Sequence, residues 1–289
     1  MTISRSQALL LFVPLLLILL PFLIWPAAFG FFASFTNYAP VQPNFHFLGL
    51  GNYREVLGDP QFQTACRNVA VFALIAVPTE LALGLGIAYL LRQPFRGRGW
   101  IRVALLTPWL VSPIATGVMW HFLFNDKWGL FGFWFVWLRL PIPPSPLGLS
   151  GLALLTAIAI DVWRKAPLAS FLLLPGLVSI PNDQWEQSTL DGASLLLRIR
   201  HVALPWMRPL LLTVGLLLLG DTLGTFDTVL ILTGGGPGSA TMTPGLYSFQ
   251  QAFQINNWPV GATSAWLIMA MVLLMGALYL SLVRPERER

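Results

Sequence analysis

The sequence has little charge and almost no cysteine. Only 10% of its 289 residues are charged and 56% are hydrophobic, whereas about a quarter of the residues are charged in ordinary soluble domains. Cys66 is the single cysteine, which excludes an intrachain disulfide and a metal or redox site of the CxxC type. A soluble domain of this length has no core large enough for so much apolar surface. The composition therefore indicates a protein embedded in lipid.

Long apolar stretches are what the sequence has in abundance. A helix needs about 20 apolar residues to cross the core of a bilayer, and six stretches reach that length. They are residues 9–35, 69–91, 103–124, 152–178, 210–232 and 263–283. Residues 128–138 are apolar and aromatic but too few to cross, which favours a helix at the membrane interface. The sequence predicts an all-α integral membrane protein, with residues 1–289 forming a single domain of six transmembrane helices.

The basic residues predict the orientation of these helices. They occur in short clusters beside the apolar stretches, although the formal net charge of +5 alone is also compatible with a nucleic-acid-binding protein. If both termini are cytoplasmic, eleven of the 17 basic residues lie inside, four lie outside and two lie within a span. Positive charge accumulates on the cytoplasmic side of membrane proteins. The pattern therefore predicts a multi-pass protein with cytoplasmic termini and membrane lipid as a partner, and no nucleic acid.

The predicted cytoplasmic loop at residues 180–205 begins with signals for a short helix. Pro181 suits a first helical turn, and Asp183 with Glu186 three residues later resembles an acidic capping box. Gly192 can end that helix by adopting a left-handed conformation. The sequence therefore predicts a short polar helix at the start of this cytoplasmic loop.

The same loop continues with signals for a second helix. Ser194 can cap it, and we expect it to run until Pro205, because a proline pushes the preceding residue out of α geometry. The pattern predicts two short helices around a glycine, held just below the membrane. On this pattern alone, an ordinary helical connector is the alternative interpretation.

Polar side chains inside the predicted spans are costly in lipid and point to function by default. They are Glu80 in the second span, Asp161, Arg164 and Lys165 in the fourth, and Asp221, Thr222, Thr225 and Asp227 in the fifth. The spacing lets Asp161 pair with either base of its own span. One interpretation is a polar cavity that receives a hydroxylated solute. The other is a structural ion-pair network between spans, for example one joining Glu80 to Arg164.

The sequence offers no catalytic, cofactor or metal site. The glycine-rich segment 234–238 lacks the Gly-Lys-Ser/Thr ending of a phosphate-binding loop, and it falls on the predicted outer side. The three histidines, His46, His121 and His201, are scattered over both predicted sides of the membrane. We therefore expect no enzyme activity in this chain.

Several motifs together resemble one family of transporters. They are Glu186-Gln-Ser-x-x-x-Gly192 followed by Ile199 and Leu204-Pro205, then Phe47-Leu-Gly-Leu-Gly-Asn-Tyr-Arg-Glu55, Arg96-Gly-Arg-Gly99, Asp161-Val-Trp-Arg164 and Leu232-Thr-Gly-Gly-Gly-Pro-Gly238. The first is similar to the "EAA" loop of binding-protein-dependent ABC importers, with Gln187 and Ser188 in place of two alanines. The others resemble carbohydrate importers of the maltose and glycerol-3-phosphate type, in particular their first permease subunit. The resemblance covers almost the whole chain in order.

The resemblance implies two sets of site residues. It implies that the loop docks on an ATPase through Glu186, Gln187, Asp191, Gly192, Ala193, Leu204 and Pro205. It places the substrate pathway near Lys165, Leu168, Leu218, Asp221, Thr222 and Thr225, and we add Asp161 to the predicted pathway as a polar residue inside a span. Glu186 is the expected contact to a basic group of the ATPase, although it is also suited to a helix-dipole role. Lys165 either pairs with Asp161 or favours a substrate that carries an acidic or phosphate group.

The resemblance also implies an assembly in a bacterial inner membrane. Its other members are a second permease subunit, which forms a heterodimer with this one, two copies of an ATPase that hold ATP and magnesium, and an extracytoplasmic solute-binding protein. Closure of the ATPases around ATP would switch the spans from inward-facing to outward-facing. The alternative is an ion-coupled secondary transporter. Such proteins usually have inverted repeats, and no such symmetry is visible in this sequence.

Overall fold

The computed structural model describes residues 19–39, 45–125, 128–139 and 144–282, together with positions 13, 14 and 17. Within these residues the chain is helical and contains no β-strand, although an isolated antiparallel bridge joins Thr36 and Phe47. This agrees with the all-α class predicted from the sequence. Residues 9–12, 15, 16 and 18 of the predicted span 9–35 lie outside the described residues.

The α-helices of the described residues are numbered here in chain order. They are α1 (Trp25–Ala33), α2 (Gly51–Gly58), α3 (Pro60–Arg92), α4 (Arg98–Leu110), α5 (Pro113–Leu123), α6 (Leu130–Trp137), α7 (Ser150–Val178), α8 (Asn182–Leu190), α9 (Leu195–Arg198), α10 (Leu204–Trp206), α11 (Arg208–Leu223), α12 (Asp227–Leu232), α13 (Pro244–Phe249) and α14 (Trp258–Leu282). Turns of π-helix span Leu20–Ile24, Ile199–Ala203 and Gln250–Gln254, and a 3-10 turn spans Pro146–Gly148.

Two of the described helices, α3 and α14, have both the length and the apolar composition to cross a membrane. Helix α7 matches the predicted fourth span closely and is 29 residues long, but it contains three charged residues. The predicted interfacial helix corresponds to α6. These helices lie where the sequence predicts helices.

Two predicted spans are interrupted. The stretch 103–124 consists of α4 and α5, which meet at 91°, because Ser112 begins a new helix: its Oγ accepts a hydrogen bond from the N–H of Ala115 at 3.2 Å, and Pro113 follows it. The stretch 210–232 ends its first helix at Leu223 and resumes at Asp227. Helix α11 is also bent by 82° from the helical segment before it. The structure thus has breaks where the hydropathy pattern predicts continuous helices.

The second halves of the two interrupted stretches, α5 and α12, pack closely together. A β-carbon on Gly117 of α5 would lie 2.9 Å from the Cβ of Ile231, closer than real contacts allow. The Thr228 hydroxyl donates to the carbonyl of Pro113 at 3.2 Å, and His121 Nδ1 lies 2.8 Å from the carbonyl oxygen of Leu232. A glycine at the crossing lets the helix backbones approach, as is common between helices in membranes.

The chain forms two compact units. The first comprises residues 1–63 and 247–269. In it, the side-chain amide of Asn52 donates to the carbonyls of Ser34 and Thr36 at 2.9 and 2.8 Å. The Tyr247 hydroxyl donates to Asp59 at 2.5 Å, and burial together with that bond raises the pKa of Tyr247 above its ordinary value.

The second unit comprises residues 64–246 and 270–289 and contains both predicted functional regions. Its main apolar cluster joins side chains of α3, α7 and α11 to residues of the 180–207 segment, namely Ile180, Trp185, Ala203 and Met207. Helices α3 and α7 approach closely where Gly84 faces Ala169, since a β-carbon on Gly84 would lie 2.7 Å from the Cβ of Ala169. The 180–207 segment is therefore anchored in the core of this unit.

Candidate functional site

The first candidate region is the segment 180–207, called here the coupling segment. It begins with α8, and Pro181 is the N-cap of this helix, one position before the first turn. The predicted capping box does not form, because Asp183 and Glu186 lie inside the helix and make no side-chain cap bond. The predicted end is confirmed: Gly192 follows the helix with a left-handed φ of +72°, which glycine adopts without strain.

The second helix of the coupling segment starts as predicted and ends differently. The Oγ of Ser194 accepts a hydrogen bond from the N–H of Leu197 at 3.4 Å. The helix does not stop before Pro205 as the sequence suggested, because a π-helical turn spans Ile199–Ala203 and α10 then includes the proline. A wider turn is one of the ways in which a helix accommodates an irregularity of this kind.

Trp185 anchors the coupling segment in the apolar cluster of its own unit. The residue is only 7% exposed, and the Arg92 guanidinium at the end of α3 lies 4.5 Å from the centre of its ring. Arg198 of α9 lies 5.9 Å from the same ring and donates to the Thr189 hydroxyl at 2.9 Å. Sequence reasoning missed Trp185, although it is the one aromatic residue of the largely polar helix α8.

The residues predicted to contact an ATPase lie mostly on the outside of the coupling segment. Glu186, Gln187, Asp191, Gly192, Leu204 and Pro205 are exposed, and Ala193 is half-buried. A shallow cavity of about 320 Å³ is lined by Trp185, Glu186, Thr189 and Leu190. The segment thus combines a buried aromatic side chain with an open surface on which charged and polar residues lie beside exposed leucines such as Leu190 and Leu196.

The second candidate region is a set of four charged side chains, Asp161, Arg164, Lys165 and Asp221, called here the charge network. Lys165 Nζ lies 2.8 Å from Asp161 and 2.7 Å from Asp221, and the Arg164 guanidinium lies 3.7 Å from each of these carboxylates. Both bases of α7 therefore bridge the same two aspartates, one on their own helix and one on α11. Two positive and two negative charges balance within the network.

The members of the charge network differ sharply in exposure. The side chain of Lys165 is 2% exposed and that of Asp161 4%, whereas the Asp221 side chain is 63% exposed. The ammonium group also donates to the hydroxyl of Thr222, which is buried, at 3.3 Å. The outer surface of the network is therefore a carboxylate, with the cations behind it.

The other predicted pathway residues are not part of this network. Leu168 is half-buried, and Leu218 is buried in the main apolar cluster. Thr225 lies beyond the end of α11, where its N–H donates to the carbonyl of Thr222 at 3.2 Å and its carbonyl accepts from the Thr243 hydroxyl. The structure thus brings together Asp161, Lys165, Asp221 and Thr222, and sequence spacing alone had not connected Lys165 with Asp221.

Glu80 of α3 is fully buried. Neither of its carboxylate oxygens has a hydrogen-bond partner among the described residues. Arg164 forms its ion pairs with Asp161 and Asp221, so the pair of Glu80 with Arg164 considered from the sequence does not form in the part of the chain described.

Comparisons with known proteins agree with these observations. The family model of the binding-protein-dependent transport system inner membrane component matches residues 80–284, which include both candidate regions. The trehalose/maltose transport system permease protein MalF of Thermococcus litoralis is 33% identical over 279 residues, covering 96% of this chain and 94% of that protein. The sn-glycerol-3-phosphate transport system permease protein UgpA of Agrobacterium fabrum is 27% identical, with 92% and 90% covered.

The fold also has solved counterparts. A bacterial ABC transporter involved in the import of the acidic polysaccharide alginate contains a chain that superposes with a TM-score of 0.83 at 17% identity, covering 99% of this chain and 98% of that one. The alginate transporter in complex with a periplasmic protein that holds an alginate pentasaccharide gives a TM-score of 0.82 at 16% identity, with 96% and 94% covered. At this level of identity the likeness establishes the fold.

The resemblance inferred from the motifs is therefore confirmed, and the alternative of an ion-coupled secondary transporter is not favoured by any of these matches. The role inferred for the chain, a transport subunit without enzyme activity of its own, is that of the family. The chain belongs to the family of binding-protein-dependent transport system inner membrane components, the permease subunits of ABC importers, in which a separate ATPase hydrolyses ATP.

Proposed function

We propose that this chain is the first permease subunit of an importer for a sugar or a sugar-like solute, and that its coupling segment receives the ATPase. The names of its relatives support the solute class, since the one that is 33% identical transports trehalose and maltose. The observation that carries the coupling role is the contrast between two adjacent residues. Trp185 is buried in the unit, and Glu186 next to it is exposed.

This contrast suits the transmission of movement. A short helix that is packed through one buried side chain moves as a rigid element rather than deforming. A push on the exposed Glu186 face therefore reaches Trp185, and through the 4.5 Å contact with Arg92 it reaches the end of α3. Gln187, Asp191, Gly192, Ala193, Leu204 and Pro205 complete the proposed docking surface.

The proposed solute pathway passes the charge network. Carboxylates and hydroxyls are good partners for sugar hydroxyl groups, and Asp221 is the network member with an exposed side chain. Asp161 and Lys165 lie behind it, and Thr222 supports Lys165. Leu168, Leu218 and Thr225 would shape the surroundings of the pathway, with Leu218 acting from the apolar core.

The proposed topology has six spans in a bacterial inner membrane, with both termini in the cytoplasm. Helices α3, α7 and α14 would each form one span. Helices α4 and α5 together, and α11 with α12, would form two more. The stretch 9–35 would supply the first, and residues 1–289 would act as one transmembrane domain. The clusters of basic residues next to these helices support this orientation.

The proposed assembly contains four further components. A second permease subunit pairs with this chain, two copies of an ATPase bind ATP and magnesium, and an extracytoplasmic protein delivers the solute. A periplasmic protein occupies that position in the alginate transporter complex. We assign no cofactor to this chain itself.

The coupling role is tested by Glu186→Lys in the complete importer reconstituted in lipid vesicles. We expect the variant to insert normally, to retain about a tenth or less of the bound ATPase, as at an interface hot spot, and to lose ATP-driven uptake. Glu55→Lys makes the same change at an exposed glutamate on the predicted outer side, and it should leave ATPase binding unchanged. Normal ATPase binding by Glu186→Lys, or uptake driven by an ion gradient without ATP, would contradict the proposal.

A further inference from the structure

We propose that Asp221 makes this pathway selective for uncharged saccharides, because it presents a carboxylate to the solute and keeps the ammonium group of Lys165 out of reach. This inference rests on the proposed function, in which the charge network lines the solute pathway. It also decides between the two roles that the sequence left open for Lys165. The lysine belongs to an internal ion-pair network and does not serve an acidic substrate.

The geometry around Lys165 leaves no donor for a solute anion. An ammonium group has three N–H donors. In the structure Lys165 Nζ has three polar neighbours, the carboxylates of Asp161 at 2.8 Å and Asp221 at 2.7 Å and the hydroxyl of Thr222 at 3.3 Å. The side chain is also 2% exposed. A phosphate or carboxylate of a solute would have to displace Asp221 before it could reach this cation.

The charge that a solute meets first is negative. Arg164, the second cation, is 11% exposed and lies 3.7 Å from both aspartates, whereas the Asp221 side chain is 63% exposed. An acidic solute at this surface would place a like charge beside a carboxylate, and repulsion of this kind is a common means of rejecting a wrong ligand. The structure therefore disfavours acidic solutes at this point of the pathway.

One atom of Asp221 remains suited to a neutral solute. Both of its ion pairs, with Lys165 and with Arg164, use Oδ2. No hydrogen bond or ion pair through Oδ1 occurs among the residues that the structure describes. An ionised carboxylate oxygen is a strong acceptor for hydroxyl donors. Oδ1 is therefore placed to accept a hydrogen bond from a sugar hydroxyl while Oδ2 holds the two cations.

Relatives of this chain show that solute charge varies within the family. One transports trehalose and maltose, and others transport sn-glycerol-3-phosphate and sulfoquinovosyl glycerol. The family alone therefore does not fix the charge of the solute. Side chains that line the pathway of each permease can contribute to matching that charge. In this chain the geometry points to Asp221 for that task.

The test uses ligands matched in everything except charge. Trehalose and maltose are each paired with the mono-uronic acid made by oxidising one of their hydroxymethyl groups. Equilibrium binding is measured on the purified complex of both permease subunits and the ATPase, without the external binding protein, because that protein imposes a selection of its own. We expect the complex to prefer the neutral member of a pair by about tenfold or more, as expected for a nearby like charge.

Replacing Asp221 should reverse the selection. Asp221→Asn leaves Arg164 and Lys165 facing only Asp161, so the balance of the network changes from neutral to one positive charge. We expect the neutral sugar to bind more weakly and the uronic acid to bind more tightly. The ratio of the affinity for the neutral sugar to the affinity for the uronic acid should therefore fall to about one or below. Asp227→Asn is the matched control and should keep the original preference.

The outcomes separate this inference from the proposed function. Binding of neither member of any pair by the unmodified complex would contradict the sugar pathway itself. Equal binding of neutral and acidic members would leave the pathway in place and overturn the role of Asp221. An Asp221→Asn variant that weakens both ligands by the same factor would also overturn it, since that result means that Asp221 only holds the helices together or is covered by the second permease subunit.

Discussion

The coupling segment and the charge network place their charged residues in opposite ways. In the coupling segment Glu186 and Asp191 are exposed, and the aromatic ring of Trp185 is buried. In the charge network Asp161 and Lys165 are buried, and only the Asp221 side chain is largely exposed. One region is held by an apolar anchor and presents charge outward. The other is held by charge and presents a single carboxylate.

This difference predicts different responses to substitution. Losing an exposed charge from a surface usually changes stability little. Removing one partner of a buried ion pair leaves an uncompensated charge, which is strongly destabilising. We therefore expect the loss of one cation to destabilise the whole charge network. Loss of the Trp185 ring should displace the coupling segment without unfolding the rest of the chain.

The largest effect is expected from Lys165→Met, which would sharpen the comparison most. It leaves the buried carboxylate of Asp161 without its 2.8 Å partner, and broken buried pairs of this type cost about 3–5 kcal/mol. Thermal unfolding of the detergent-solubilised complex measures the loss. The double variant Lys165→Met with Asp161→Asn removes both charges and should recover most of the stability. If Lys165→Met is as stable as the parent, the network does not hold α7 to α11.

A smaller and more local effect is expected from Trp185→Ala. Trp185 is 7% exposed and its ring contacts Arg92, and removing a buried aromatic side chain of this size costs about 3 kcal/mol. We expect amides of α8 to lose hydrogen-exchange protection and the bound ATPase to decrease, while α7 and α11 remain protected. Trp185→Phe keeps an aromatic ring, and its loss of stability should be about half that of Trp185→Ala or less. Loss of protection throughout the unit would show that the two regions are not independent.

The smallest effect is expected from Gly192→Ala. The φ of +72° at this position is unfavourable for any residue with a β-carbon, at a cost of about 1–2 kcal/mol, although no neighbour lies within 4 Å of the added carbon. Hydrogen exchange at the end of α8 should show this cost without a change in global unfolding. Gly99→Ala, at an equally open position without a positive φ, is the control. Equal effects at the two glycines would exclude a special role for the turn.

The coupling segment was largely predictable from the sequence because its signals are local. Gly192 and Ser194 act on backbone groups within four residues of themselves, so a reading of neighbouring residues finds them. The end at Pro205 was wrong because a π-helical turn over Ile199–Ala203 accommodates the proline. No periodicity of 3.6 residues anticipates such a turn. The anchoring role of Trp185 depends on Arg92, which lies 93 residues earlier in the chain.

The charge network was predictable only in part. The pairing of Asp161 with Lys165 follows from helical spacing, whereas the pairing of Lys165 with Asp221 joins two helices and depends on how they pack. The sequence also could not show that Lys165 is covered while Asp221 is open, since exposure is a property of the packed helices. The breaks in the stretches 103–124 and 210–232 escaped a hydropathy pattern, because apolar residues continue on both sides of each break.

The close packing of Gly117 against Ile231 has a consequence for these two interrupted stretches. Helix α5 has 11 residues and rises about 16 Å, and α12 is shorter, so neither crosses a bilayer by itself. Their hydrogen bonds through Thr228 and His121 join them at both ends of their contact. Helices α5 and α12 therefore stabilise each other more than either is stabilised by the helix that precedes it in the chain. A rearrangement that tilts one of these helices must also move the other. The absence of a β-carbon at Gly117 permits the close approach on which this coupling depends.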